Sequence, residues 1–144
     1  MGRRLKYLRE LNEETQKVCA NYYNVTRSTY AGWENDKDYM PLEKIIIACN
    51  RNKVSIDYIT GLSDVNTYTT ELKLDPKVIA KSLFTLRKII LNYTQDKFSK
   101  AININQSTYS AYETGKLIIN ANTLYNTCYV YGISQDDIVK GNLK

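Results

Sequence analysis

The side chains that could carry covalent chemistry are few. The chain has no histidine, and its three cysteines, Cys19, Cys49 and Cys128, form no CxxC pair. Zinc fingers need closely spaced Cys and His ligands and are excluded. An odd number of well-separated cysteines fits free thiols in a reducing compartment. Two acidic doublets, Glu13-Glu14 and Asp136-Asp137, read as helix-start acids that complement the helix dipole, not as an acid–base pair. No Gly-rich phosphate loop and no nucleophile–base spacing is present. The expectation is a non-enzyme with no metal and no cofactor. What remains is hydrogen bonding. Arg27, Ser28, Ala31 and Gly32 lie on the side of a short helix away from Tyr30 and Trp33, toward solvent or a ligand.

That short helix belongs to a stretch that occurs twice. Thr15 to Lys37 (TQKVCANYYNVTRSTYAGWENDK) returns 79 residues later as Thr94 to Lys116 (TQDKFSKAININQSTYSAYETGK). Thr15/Thr94, Gln16/Gln95, Ser28/Ser107, Thr29/Thr108, Tyr30/Tyr109, Glu34/Glu113 and Lys37/Lys116 are identical. The same offset aligns Cys49/Cys128, Ser55/Ser134, Asp57/Asp136 and Ile59/Ile138. A register held this long marks one fold unit used twice. The expected organisation is a first domain over 1–62, a linker over 63–74 and a second domain over 75–144. Each domain is near the lower size limit for an independent core.

Apolar spacing supplies the elements. Leu5, Leu8 and Leu11 predict a first helix. Thr15 caps a second, to about Tyr23, and Asn24-Val25 is a turn. Thr26 caps a third, Arg27 to Glu34, with Tyr30 and Trp33 inward. Pro41 opens a fourth, to about Arg51, burying Leu42, Ile45, Ala48 and Cys49. Ser55 caps a fifth, which Gly61 ends. Residues 63–74 lack helical periodicity. Asp75-Pro76 is a cap followed by a first-turn proline, and opens a longer helix to about Asn92. The second copy then repeats the pattern with a turn at Asn103-Ile104 and a cap at Asn105. The fold class is all-α.

Formal charge is +5. Residues 1–66 carry 10 basic and 9 acidic groups, and residues 67–144 carry 10 and 6. This balance permits nucleic-acid binding without requiring it. No apolar run approaches the ~20 residues of a membrane span. No apolar segment follows the positive start Met1-Gly2-Arg3-Arg4-Leu5-Lys6, so no signal peptide is expected and a cytoplasmic, nucleoid-associated protein is.

Five short helices per unit, the Thr-Gln opening of helix 2, Asn24-Val25-Thr26-Arg27-Ser28-Thr29-Tyr30, and Trp33-Glu34-Asn35-Asp36-Lys37 resemble the Cro/CI-type (XRE) helix-turn-helix family of phage-repressor-like regulators. Ile104-Asn105-Gln106-Ser107-Thr108-Tyr109 and Tyr112-Glu113-Thr114-Gly115-Lys116 carry the same likeness in the second copy. The resemblance covers about 4–61 and 82–140. It implies two tandem five-helix, lambda-repressor-like domains and a sequence-specific DNA-binding transcriptional regulator, a repressor. The alternative is a protein-docking module on the same scaffold, for an antirepressor, toxin or polymerase.

In that family an Arg of helix 1 pairs with a Glu ending helix 3, which implies structural clamps Arg9–Glu34 and Arg87–Glu113. The second pair needs one extra residue before Thr94, so its first helix is expected to be displaced or bulged. The start of helix 3 reads bases. This nominates Arg27, Ser28, Ala31 and Gly32, and Gln106, Ser107, Ser110 and Ala111. Arg27 suits guanine and Gln106 adenine. Gln16, Lys37, Gln95, Gly115 and Lys116 are the phosphate candidates. The implied partners are double-stranded DNA, a homodimer or an intramolecular pseudo-dimer, and an antirepressor protein. One departure stands out: the first copy has Asn35-Asp36-Lys37-Asp38 where the family usually has a Gly before the basic residue, and Asp36 and Asp38 would repel phosphate. The second copy keeps Thr114-Gly115-Lys116, but its third helix has no Arg or Lys.

Overall fold

The computed structural model describes residues 1–143. Those residues are helices and connecting turns, with no strand among them. The chain divides into two compact units, Met1–Glu71 and Leu72–Lys144.

The first unit holds α1 (Gly2–Leu11), α2 (Gln16–Tyr22), α3 (Arg27–Glu34), α4 (Leu42–Asn52) and α5 (Ile56–Thr60). Side-chain caps set three of the starts. Thr15, Thr26 and Ser55 accept from the N–H groups of Val18, Thr29 and Tyr58 at 3.2, 3.1 and 3.3 Å. Each satisfies a donor that has no partner inside its own helix. Leu5 and Leu8 are buried, whereas Leu11 is 60% exposed. Steps of three residues fall about 60° short of a full turn, so the stripe rotates out of the core by its third member. Tyr23, Tyr30 and Trp33 form a buried aromatic cluster with ring centroids 5.9–6.1 Å apart. It packs α3 onto the end of α2. Burial pushes the Tyr23 hydroxyl up to about 12.

Residues 63–68 belong to this unit by their bonds. The Ser63 N–H donates to the Asp57 carbonyl at 3.0 Å. Asn66 accepts from the Ser55 N–H and donates to the Lys53 carbonyl, both at 2.9 Å. Arg4 reaches from α1 to the carbonyls of Tyr58 and Ser63 and to the Asp64 carboxylate. The boundary between the compact units accordingly falls after Glu71.

The second unit holds α6 (Pro76–Phe84), a π-helical stretch (Thr85–Ile90), α7 (Gln95–Ala101), α8 (Gln106–Glu113), α9 (Ala121–Tyr131) and α10 (Gln135–Lys140). Thr94, Asn105, Asn120 and Ser134 cap α7 to α10. Ile79, Leu83, Leu86, Phe98, Tyr109, Leu124 and Ile138 form the core, and the apolar stripe of the first helix emerges into solvent at Ile89 and Ile90. Cys19, Cys49 and Cys128 are buried and outside any disulfide.

The bounds of α7, α8 and α9 lie 79 residues after those of α2, α3 and α4. Left-handed backbone positions follow the same offset: Glu13 and Asn92, Asn24 and Asn103, Asp36 and Gly115, Lys53 and Gly132. Such positions are uncommon outside glycine and asparagine, so their placement is a fingerprint of the chain path. The π-helical stretch falls where spacing differs. Arg9 precedes Thr15 by six residues, and Arg87 precedes Thr94 by seven. The wider turn takes up the added residue, with the Leu91 N–H on the Leu86 carbonyl and the Tyr93 N–H on that of Arg87.

Candidate nucleic-acid interface

In each unit a guanidinium fixes the third helix. Arg9 donates through Nε and Nη2 to the two carboxylate oxygens of Glu34, at 2.7 and 3.1 Å. Its third nitrogen donates to the Glu14 carbonyl at 2.9 Å. Arg87 holds Glu113 at 2.8 and 2.7 Å and the Tyr93 carbonyl at 2.7 Å. The residue held by its carbonyl immediately precedes the cap of the second helix in both cases. One planar cation therefore joins the first helix, the end of the third and the entry to the second.

Burial works against charge on Glu34, but hydrogen bonds from Arg9, Tyr30 and Gln16 outweigh it and hold the carboxyl below its ordinary value. Glu113 is lowered in the same way, against burial, by Arg87, Tyr109 and Gln95.

The two glutamines nominated for phosphate turn their amides to the clamps. Gln16 Nε2 donates to Glu34 Oε1 at 3.1 Å, and Gln95 Nε2 to Glu113 Oε1 at 3.4 Å. Their amides complete the clamps. Sequence alone placed them at a helix N-terminus but carried no sign of which way the amide turns.

The outer face of α3 presents Arg27 and Ser28, both exposed, with Ala31 half-buried. Gly32 departs from the expectation that it reads a base: it is buried. A Cβ built on it would lie 2.5 Å from Asp38 Oδ2, so the Asp38 side chain covers that part of the helix. By sequence Asp38 reads only as a repulsive charge. The signal that could have raised it is the mid-helix glycine itself, since glycine inside a helix often marks close approach of another group. Asp36, in the left-handed region, accepts from the Gly2 N–H at 2.9 Å and so turns toward the start of α1.

On α8, Gln106 and Ser107 are exposed, and Ser110 and Ala111 are half-buried. The Ser107 hydroxyl donates to the capping Asn105 side chain at 2.5 Å. Lys37 and Lys116 are exposed at equivalent sites. Their N–H groups donate to the carbonyls of Gly32 and Ala111, at 2.9 and 3.0 Å, so each turn folds back on its helix. Gly115 has φ +78°. Arg27, Ser28 and Ala31 thus lie on α3 with Lys37 in the turn after it, and Gln106, Ser107, Ser110 and Ala111 lie on α8 with Gly115 and Lys116 in the turn after it. Among the described residues no group of Cys, Asp and Glu is arranged to hold a metal ion, and no helix is long and apolar enough to cross a membrane.

Comparison with known proteins bears on this geometry. Residues 84–144 match the family model of a helix-turn-helix domain. The chain is also similar to an uncharacterized HTH-type transcriptional regulator, YobD of Bacillus subtilis (strain 168), with 35% identity over 80 residues. The aligned part is 56% of this chain and 64% of that protein, so the chain spans less than two thirds of its relative. No solved structure gives a significant match.

Proposed function

We propose that this chain is a sequence-specific, double-stranded DNA-binding regulator of transcription, a repressor, that lays α3 and α8 in major grooves. The observation that carries the reading is the pair of eight-residue helices, each locked on its inner side by an Arg–Glu–Gln clamp and polar on its outer side. A B-form major groove about 12 Å wide admits one such helix. The helix-turn-helix match over 84–144 and the similarity to a transcriptional regulator support the same conclusion.

The roles follow from chemistry. Arg27 donates two parallel hydrogen bonds to guanine O6 and N7, and Gln106 reads adenine N6 and N7. Ser28, Ser107 and Ser110 supply single hydrogen bonds, and Ala31 and Ala111 supply apolar contact. Lys37, Lys116 and the Gly115 backbone hold phosphate. The two units are two copies of one five-helix fold, as the shared offset of their helices and left-handed positions supports. They act as a pseudo-dimer within one chain, on half-sites of unequal sequence about one turn apart. The protein works in the cytoplasm on the nucleoid, under the control of a protein antirepressor.

Selection of bound duplexes from a random pool tests this, using wild type, Arg27→Ala and Gln106→Ala. A motif in which each substitution relaxes a different part is the expected result. No motif at moderate salt would overturn it. A second reading is favoured by the acidic Asp36 and Asp38 beside α3: the first unit docks a protein, and the second alone binds DNA. Arg27→Ala would then leave the motif untouched.

A further inference from the structure

Gly32 follows Ser28 by four residues, one turn along α3, on the side opposite the buried Tyr30 and Trp33. A side chain there would face outward. None exists, and Asp38 fills the vacancy: its Oδ2 and Cγ lie 2.5 and 3.4 Å from where a Gly32 Cβ would stand. The turn delivers it there, because the N–H groups of Lys37 and Asp38 both donate to the Gly32 carbonyl, at 2.9 and 3.2 Å. Asp38 remains exposed as a residue while it lies over Gly32. In the second unit the equivalent positions are Ala111 and Leu117, and Leu117 is 53% exposed.

We infer that Asp38 is a base-reading residue of the first unit, acting from the turn as though mounted on α3 at Gly32, and that its target is the amino group of cytosine. This rests on the proposed insertion of α3 in the major groove. A carboxylate only accepts hydrogen bonds. The major-groove donors are cytosine N4 and adenine N6, and adenine sets the N7 acceptor beside its amino group, where it repels a carboxylate. Cytosine is therefore preferred. Five residues separate Gly32 from Arg27, a rise of about 7.5 Å. That is roughly two base-pair steps of about 3.4 Å, so Arg27 and Asp38 read different pairs. Both reward G·C pairs. The second unit sets an Ala methyl, an exposed Leu and Gln106 in the corresponding places, which suit thymine methyl and adenine. The two half-sites differ in base composition as a result.

The test is duplex selection with the full chain, comparing wild type with Asp38→Asn and Gly32→Ala. The second substitution keeps the charge but drives the carboxylate off the helix face, and alanine favours helix over glycine, so the fold survives. The expected result is a cytosine column in one half-site that both variants relax by about tenfold. The columns governed by Arg27 and Gln106 should stay as they are. If Asp38→Asn instead raises affinity for all sequences alike and steepens the salt dependence, the carboxylate is only a repulsive charge and the inference fails. An unchanged motif in both variants defeats it too, while leaving DNA reading intact. Absence of any motif with wild type removes both.

Discussion

Arg87 grips Glu113 through two parallel hydrogen bonds, at 2.8 and 2.7 Å, although the helix that carries Arg87 has left α-helical geometry around it. The π-helical stretch and the ion pair are one arrangement. The added residue between Arg87 and Thr94 would rotate the clamp out of register in a regular helix, and the wider turn restores it.

Removing one residue from that stretch should therefore be tolerated. Deleting Ile89, which is 68% exposed, returns the spacing to that of Arg9 and Thr15 and lets the helix close as α. The expected change in stability is less than about 1 kcal/mol. Deleting the buried Leu86 shifts the core and should unfold the unit. Thermal melts of the two deletions, followed by far-UV circular dichroism, separate these outcomes.

The clamps themselves should be costly to break. The side chains of Arg87 and Glu113 are 9% and 8% exposed. Arg87→Met leaves a buried carboxylate without its cation and should destabilise the second unit by about 3–5 kcal/mol. Glu113→Gln, which keeps shape and an amide oxygen to accept from the Arg87 guanidinium, should cost less. Urea midpoints of the two variants give the comparison.

Acid should act through the same groups. Glu34 and Glu113 are held below the ordinary carboxylate value of about 4.3. Their contribution is fully present above the unfolded value. It is lost as pH falls from there through the lowered folded value, because the unfolded chain binds protons first. Stability should thus be level above about pH 5 and decline below about pH 4. The double variant Glu34→Gln, Glu113→Gln should be weaker at neutral pH but show a shallower acid decline. A series of urea titrations from neutral to acid pH would expose a failure as parallel curves.

Thiol labelling should report on each unit separately. Cys19 and Cys49 are 2% and 0% exposed in the first unit, and Cys128 is 1% exposed in the second. A maleimide should reach them only through opening of the surrounding helices. Arg9→Met should accelerate labelling at Cys19 and Cys49 and leave Cys128 unchanged. Arg87→Met should do the reverse. Peptide mass spectrometry after timed labelling reads each site, and equal acceleration at all three cysteines would show that the units open together.

Much of the scaffold was legible because it is written locally. Thr15, Thr26, Ser55, Thr94, Asn105 and Ser134 are short acceptors placed just before apolar-periodic runs, and each accepts the N–H three residues on. The features that sequence left open depend on side-chain direction or on chain that returns from elsewhere. Gln16 and Gln95 turn inward because a carboxylate lies within reach across the helix pair, which no local pattern records. Gly32 is covered because the turn after α3 doubles back and sets Asp38 over it. Residues 63–68 look like a tether by composition, yet Asn66 and Arg4 fasten them to the first unit through bonds spanning many residues.

The matched helix bounds carry a consequence for engineering. Residues 27–34 and 106–113 begin after a capping side chain, end beside a gripped glutamate and are followed by a left-handed residue at the same distance. Exchanging them requires no change in loop length. A transplanted 106–113 cassette would set the Ala111 methyl where the Asp38 carboxylate now lies and push it off the helix face, so the chimaera would separate what the helix contributes from what the turn after it contributes.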